Sequence, residues 1–244
     1  MGTQFHHECN NSRSTQESMK RVLTTAMAAL VLGGCISGAH AQKKQAAKSG
    51  DADIAKLKAA LKDPANLKEQ APAKFNAKFV TSKGEFVVSV TRSWSPAGAD
   101  RFYTLVKHHY FDGVKFFRVV PNFVVQFGIH GDPSIATKWL QSNINDDPVV
   151  QSNKRGFLTY AKSSLPNSRS VQLFINLRDN VNLDSMQFAP FGKIVKGMEV
   201  VDALYNGYAE GLTQLQGQIA EGGNKFLDQN FPKLDGIKTA TVVP

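Results

Sequence analysis

Phe116-Phe117-Arg118-Val119-Val120-Pro121-Asn122-Phe123-Val124-Val125-Gln126-Phe127-Gly128 is the stretch that decides the fold class. β-Branched and aromatic residues fill it, and Pro121-Asn122 breaks it once. That pattern predicts two short strands around a tight corner. Arg118 needs a reason, because burying an unpaired charge in an apolar strand is costly. Either a carboxylate or solvent at a sheet edge satisfies it, or it stands at the wet mouth of an apolar groove.

Further strands flank this stretch on both sides. Phe75, Ala77 and Phe79 alternate on one face of a strand, and Phe86, Val88 and Val90 on the next. Ser82-Lys83-Gly84 between them reads as a hairpin connection, with glycine available for a positive φ. Ser95-Pro96 opens a helix, Ser as cap and Pro in the first turn, with Phe102, Leu105, Val106 and His109 at helical spacing. Gly156–Tyr160, Gln172–Leu177, Phe191–Val195 and Gly236–Val243 read as strands, and Met198–Leu204 as a short helix. Glu210–Asn230 is Gly/Gln-rich and low in apolar content, so a long surface loop is expected. About eight short strands with two helices, and no β-α-β alternation, predict a mainly β protein. A barrel or a sandwich fits this pattern, and a closed antiparallel eight-stranded barrel capped by the two helices would leave no exposed strand edge.

The chain has 244 residues, room for one domain plus extensions. Sixteen Phe against five Tyr and two Trp predict a Phe-rich core. The formal net charge of +9 invites a nucleic-acid reading. Lys43–Lys74 alone holds eight Lys against four acidic residues, so about half the excess sits in one arm. A solvated tail accounts for it, and no nucleic-acid partner is expected. Within the arm, Ile54, Leu57 and Leu61 fall at helical spacing up to Pro64. A marginal helix on a flexible linker, 42–74, is the expectation.

Met19-Lys20-Arg21, the apolar run Val22–Leu32 and Ala39-His40-Ala41 form a secretory signal, 19–41. The polar residues 1–18 sit oddly before it and are expected to be a spurious extension, with translation starting at Met19. Leu32-Gly33-Gly34-Cys35 also resembles a bacterial lipobox, which would lipidate Cys35. Release to the periplasm or exterior is the expectation, a membrane-anchored lipoprotein the alternative. Cys9 and Cys35 are the two cysteines. Cleavage after Ala41 removes both, so no thiol chemistry is expected of the domain at 75–244.

Phosphate-cradling, metal-binding and nucleophile-elbow motifs are absent from the sequence. His108-His109 are helix neighbours that do not converge on one ligand, and a surface position suits them. No metal and no cofactor is expected.

The stretch from Phe116 to Gly128 resembles the cyclophilin family of peptidyl-prolyl isomerases, whose pattern F-[HFY]-R-[VI]-[IV]-x-x-F-x-x-Q-x-G it fits throughout. Pro96–Phe102, Gly156–Ala161, Pro166–Ile175, Leu183-Asp184 and Phe191–Gly197 resemble further family elements. The likeness covers roughly Phe75–Val243. It implies an exported bacterial isomerase of X-Pro bonds, acting as a monomer on unfolded or Pro-containing clients. Arg118 takes the catalytic arginine's place, and Gln126 assists it. Phe123, Val124, Phe174 and Leu183 would line the proline pocket, with Leu173 where the family has another pocket Phe. Gln172, Ala161 and Lys162 would hold the peptide chain. Asn182 stands where the family commonly has Trp, which implies weak cyclosporin binding. A non-catalytic chaperone or scaffold of the same fold is the alternative function.

Overall fold

The computed structural model describes residues 51–244. The extension, signal and Cys35 expectations, and the linker up to residue 50, lie outside the described residues.

The two alternating segments form β1 (Lys74–Thr81) and β2 (Glu85–Thr91), with every second residue buried. They pair antiparallel, Phe79 opposite Phe86, and these two rings stack 4.9 Å apart. Gly84 takes φ +134 in the connection, the conformation expected of it. The other strands are β3 (Arg118–Val120), β4 (Val124–Phe127), β5 (Phe157–Tyr160), β6 (Leu173–Asn176), β7 (Pro190–Lys196) and β8 (Ile237–Val243). All pairings are antiparallel, in the order β3-β4-β6-β5-β7-β2-β1-β8. The sheet curls into a half-barrel and does not close. Its end strands β3 and β8 form no ladder with each other, and only an isolated bridge, Lys115 to Gly236, joins the segments before them. The expected barrel closure is corrected accordingly.

The core is Phe-rich as expected. Phe79, Phe86, Phe102, Phe111, Phe116, Phe127 and Phe191 are buried together. Phe102 comes from α2 (Pro96–Lys107), whose Gly98, Ala99, Leu105 and Val106 are also buried. Ser95 does not cap this helix with its own side chain. Its hydroxyl donates instead to Asp147 Oδ2 at 2.5 Å, and Asp147 accepts from the backbone N–H groups of Ala97 and Gly98. A carboxylate remote in sequence thus satisfies the orphan donors of the first turn.

Two helices do not account for the capping layer. Among the described residues, α1 (51–60), α3 (Pro133–Leu140), α4 (Asn182–Ser185), α5 (Met198–Asp202) and α6 (Gln216–Asn230) are helical besides α2. The segment expected as the end of a flexible linker is docked. Ile54–Pro244 form one compact unit. Leu61 is 1% exposed and belongs to the main core. The Trp139 indole N–H donates to the Leu61 carbonyl at 2.8 Å, and Lys138 Nζ to that of Lys62. His108, expected at the surface, is buried against this arm, Nδ1 3.2 Å from the Leu57 carbonyl and Nε2 2.6 Å from Glu69 Oε1. Desolvation opposes ionisation of Glu69, but hydrogen bonds from His108 and Thr104 outweigh it and hold its carboxyl below the usual range.

The expected loop at 210–230 is mostly helix. Leu212, Ile219 and Leu227, with Leu234, bury themselves against Phe117, Ile129 and Ala136 as a second, smaller core. The helix α6 is interrupted at Gly223, φ +57, where an added Cβ would lie 2.2 Å from the Gly131 carbonyl oxygen. Only glycine permits that approach.

Candidate functional site

Strand register assembles the site. Arg118 and Gln126 are direct partners across β3 and β4, and Phe174 of β6 lies opposite Gln126 on its other side. Directly opposed residues share a sheet face, so these three converge without any long-range loop. The corner between β3 and β4 is tight: the Phe123 N–H donates to the Val120 carbonyl, and Asn122 takes φ +58. Asn tolerates that left-handed conformation better than most residues. Gly128 closes the stretch at φ +116, and a Cβ there would sit 2.3 Å from the Val171 carbonyl oxygen. The glycine lets the chain leaving β4 lie against the chain entering β6.

An open pocket of about 170 Å³ results, lined by Arg118, Phe123, Val124, Gln126, Ala161, Lys162, Phe174, Leu183 and Phe188. Val124, Phe174 and Leu183 form a small apolar cluster of their own, joined by Phe123, Ala161 and Phe188. Eight of the ten residues expected from the sequence are therefore brought to one place. Gln172 stands just outside, lining the adjoining depression with Lys162, Ser170 and Gln216. Leu173 is corrected: it is fully buried in the main core and not in the pocket. Side chains alternate along a strand, so a pocket-facing Phe174 sends its neighbours Leu173 and Ile175 into the main core inside the half-barrel.

Two residues of the site were not anticipated. Phe188 packs edge-on against Phe174, centroids 5.7 Å apart, and Lys162 Nζ lies 5.4 Å from its ring centre. The alternating pattern could not find it, because Phe188 precedes β7 in irregular chain. The second is Glu210, from the segment expected as a plain loop. Its carboxylate takes two hydrogen bonds from Arg118, Nε to Oε2 and Nη2 to Oε1, both 2.7 Å. Arg118 therefore meets both requirements posed by the sequence: a carboxylate pairs with it, and it lines an apolar pocket.

Arg118 is the centre of a directed network. Its Nη1 donates to Gln126 Oε1 at 3.0 Å, and Gln126 Nε2 donates to Gln172 Oε1 at 2.9 Å. A guanidinium has donors only, so it fixes which way the Gln126 amide points. The Arg118 guanidinium also lies 5.4 Å from the centre of the Phe123 ring, within cation–π range. The Arg118 bonds hold the Glu210 carboxyl below the usual range, against partial desolvation. Three of the five guanidinium N–H donors are thus occupied. The arrangement offers an apolar wall to a ring and a fixed cationic donor at its edge. Among the described residues no three His, Cys, Asp or Glu side chains converge to hold a metal ion.

Comparison with known proteins agrees with this geometry. The family model for cyclophilin-type peptidyl-prolyl cis-trans isomerases matches residues 76–221. A peptidyl-prolyl cis-trans isomerase of Acinetobacter baylyi is 34% identical over 131 residues, 52% of this chain and 69% of that protein. Peptidyl-prolyl cis-trans isomerase A of Dickeya dadantii is 32% identical over 134 residues, covering 51% and 67%. In fold, the chain is similar to a cyclophilin-type isomerase of Cryptosporidium parvum, with TM-score 0.53 at 17% identity over 70% of this chain and 98% of that one. The chain belongs to the cyclophilin-type peptidyl-prolyl cis-trans isomerase family.

Proposed function

We propose that this protein accelerates cis/trans isomerisation of X-Pro bonds in proteins that fold outside the cytoplasm. The isomerase activity follows from the family together with the retained pocket. The extracytoplasmic setting is supported by the signal-like pattern at 19–41.

The chemistry needs little. Rotation about the X-Pro amide faces a barrier of roughly 18–20 kcal/mol, mostly lost resonance. Left alone it takes tens to hundreds of seconds. No covalent bond is broken, so neither nucleophile nor metal is called for. The enzyme must bind the twisted amide better than either planar form. Val124, Phe174, Leu183 and Phe188 hold the proline ring while the preceding carbonyl swings. Twisting returns a lone pair to the proline nitrogen. A guanidinium N–H of Arg118 aimed there stabilises the twisted state selectively, in a site already organised to do so. Arg suits the role because it stays charged at any working pH and its donors are rigidly disposed. Ala161, Lys162 and Gln172 line the path of the peptide chain beside the pocket.

The observation that carries the proposal is Arg118 standing at the edge of a pocket walled by Phe123, Val124, Phe174, Leu183 and Phe188, with two donors unassigned. The test compares residues 42–244 with Arg118→Ala in a proline-isomerisation assay on an X-Pro peptide. The parent should accelerate relaxation, and the variant should lose about a hundredfold or more, the usual cost of one preorganised donor. A folded parent without activity would instead support a Pro-segment-binding chaperone or scaffold. Lipid anchoring is tested separately by fractionating cells carrying Cys35→Ala. An unchanged split between membrane and soluble fractions leaves the released form standing.

A further inference from the structure

The mechanism above uses Arg118, but it does not explain what keeps the guanidinium in place. Arg118 is the first residue of an edge strand only three residues long. Its long side chain has many rotamers, and freezing them costs conformational entropy. Gln126 restrains one nitrogen, Nη1. The other two are restrained by one residue from outside the sheet, Glu210.

We propose that Glu210 is a positioning residue for Arg118, holding the guanidinium in the orientation in which its remaining donors face the proline pocket. The inference deepens the isomerase reading and rests on it.

Three observations carry it. First, the contact is bidentate and side-on: Nε and Nη2 both donate at 2.7 Å to separate oxygens of one carboxylate. Two parallel bonds fix the plane of the guanidinium as well as its position. The donors left over sit on Nη1 and Nη2, one each. Second, Glu210 is itself held. The Thr213 hydroxyl donates to its Oε2 at 2.8 Å, and the backbone N–H of Thr213 to the Glu210 carbonyl. Thr213, Glu210, Arg118, Gln126 and Gln172 thus form one continuous chain of hydrogen bonds running past the pocket. Third, the segment bearing Glu210 is anchored beside its target. Leu212, two residues on, is fully buried in the small core that also contains Phe117, the residue before Arg118. One side chain of the pair Phe117-Arg118 is packed by this segment and the next is hydrogen-bonded by it.

The alternative geometry would be a blocking one, with Glu210 taking the donors the substrate needs. Side-on pairing argues against it, since it leaves one N–H on each Nη free. The Glu210 side chain is also about half exposed and does not line the pocket.

The test uses the secreted form, residues 42–244, with Glu210→Ala, Glu210→Gln, Arg118→Ala and the double variant Glu210→Ala/Arg118→Ala. Turnover on an X-Pro peptide and the Arg118 Nε–H resonance are both read. Glu210→Ala should lower kcat about tenfold with KM within twofold of the parent. Its Nε–H signal should shift and broaden while thermal unfolding changes little. Glu210→Gln keeps one acceptor oxygen and should recover part of kcat. In the double variant the loss should not exceed that of Arg118→Ala alone, because Glu210 acts through Arg118. A kcat for Glu210→Ala equal to or above that of the parent would overturn the inference while leaving the isomerase reading intact. A folded parent with no activity would overturn both.

Discussion

Leu61→Ala tests whether residues 54–74 are part of the folded domain. Leu61 is 1% exposed, so its side chain gains nothing from solvent when truncated. The removed carbons are worth about 0.8 kcal/mol each in transfer free energy, and the cavity left behind adds to that. Leu→Ala changes at such sites cost about 2–5 kcal/mol. For a domain of this size each kcal/mol lowers Tm by about 2–4 °C, so a loss of about 3 kcal/mol means a fall of about 6–12 °C. Urea unfolding followed by Trp fluorescence is a suitable assay, since Trp139 donates to the Leu61 carbonyl itself. The midpoint should fall with little change in m. A second arm is limited proteolysis, which should cut the variant within 54–74 well before the parent. A stability change below about 0.5 kcal/mol, the range of ordinary surface substitutions, would refute the docked arm and restore a flexible linker.

Gly128→Ala should be severely destabilising, at least about 3 kcal/mol, because it combines a left-handed backbone with a Cβ 2.3 Å from a carbonyl oxygen. Near-parental unfolding in urea would show that the β4–β6 approach relaxes freely. Phe188→Ala should raise KM for an X-Pro peptide about fivefold or more with a smaller effect on kcat, since it removes wall and no donor. The Glu210 carboxyl is held below the usual glutamate range by its Arg118 bonds. The pairing is therefore complete above about pH 4.3 and is lost only as pH falls through the lowered value. The kcat profile should be flat through neutral pH, and an acid limb centred above about pH 5 would contradict this. Cyclosporin should inhibit weakly, because Asn182 replaces the family's Trp beside Leu183. Tight inhibition by titration would refute that reading.

Much of this molecule was legible where a short-range rule operates. β1 and β2 follow from alternation, and the Arg118–Gln126 pairing follows once the corner at Pro121-Asn122 fixes the register. The site residues on β3, β4 and β6 came from the family resemblance. It misplaced Leu173, because a resemblance position by position does not carry which face of β6 each residue occupies. The docked arm is illegible for a different reason: Leu61 and Leu67 pack on the main core, and the Leu61 carbonyl meets Trp139, 78 positions away, which no local window contains. The α3 helix had a readable start, Asp132-Pro133-Ser134, and Asp132 does accept from the Ser134 N–H. Residues 210–230 look polar because their buried Leu212, Ile219 and Leu227 are spaced seven and eight apart. The fully buried positions recur only about every two turns, with Ala220 and Phe226 packed beside them half-buried, too sparse to stand out. Glu210 could not be assigned to Arg118 from sequence, being 92 positions away.

The small core around Phe117 ties the guanidinium's freedom of movement to a part of the protein that opens more easily than the sheet. It buries far fewer side chains than the Phe-rich interior, so its local opening free energy is the lower of the two. Warming would then loosen residues 205–235 while eight strands remain paired. The protein would lose the far-ultraviolet signal of α6 but keep its sheet and its grip on the proline ring, and swing its arginine slackly. Catalysis would fade as a premelting event, several degrees below the transition that calorimetry records.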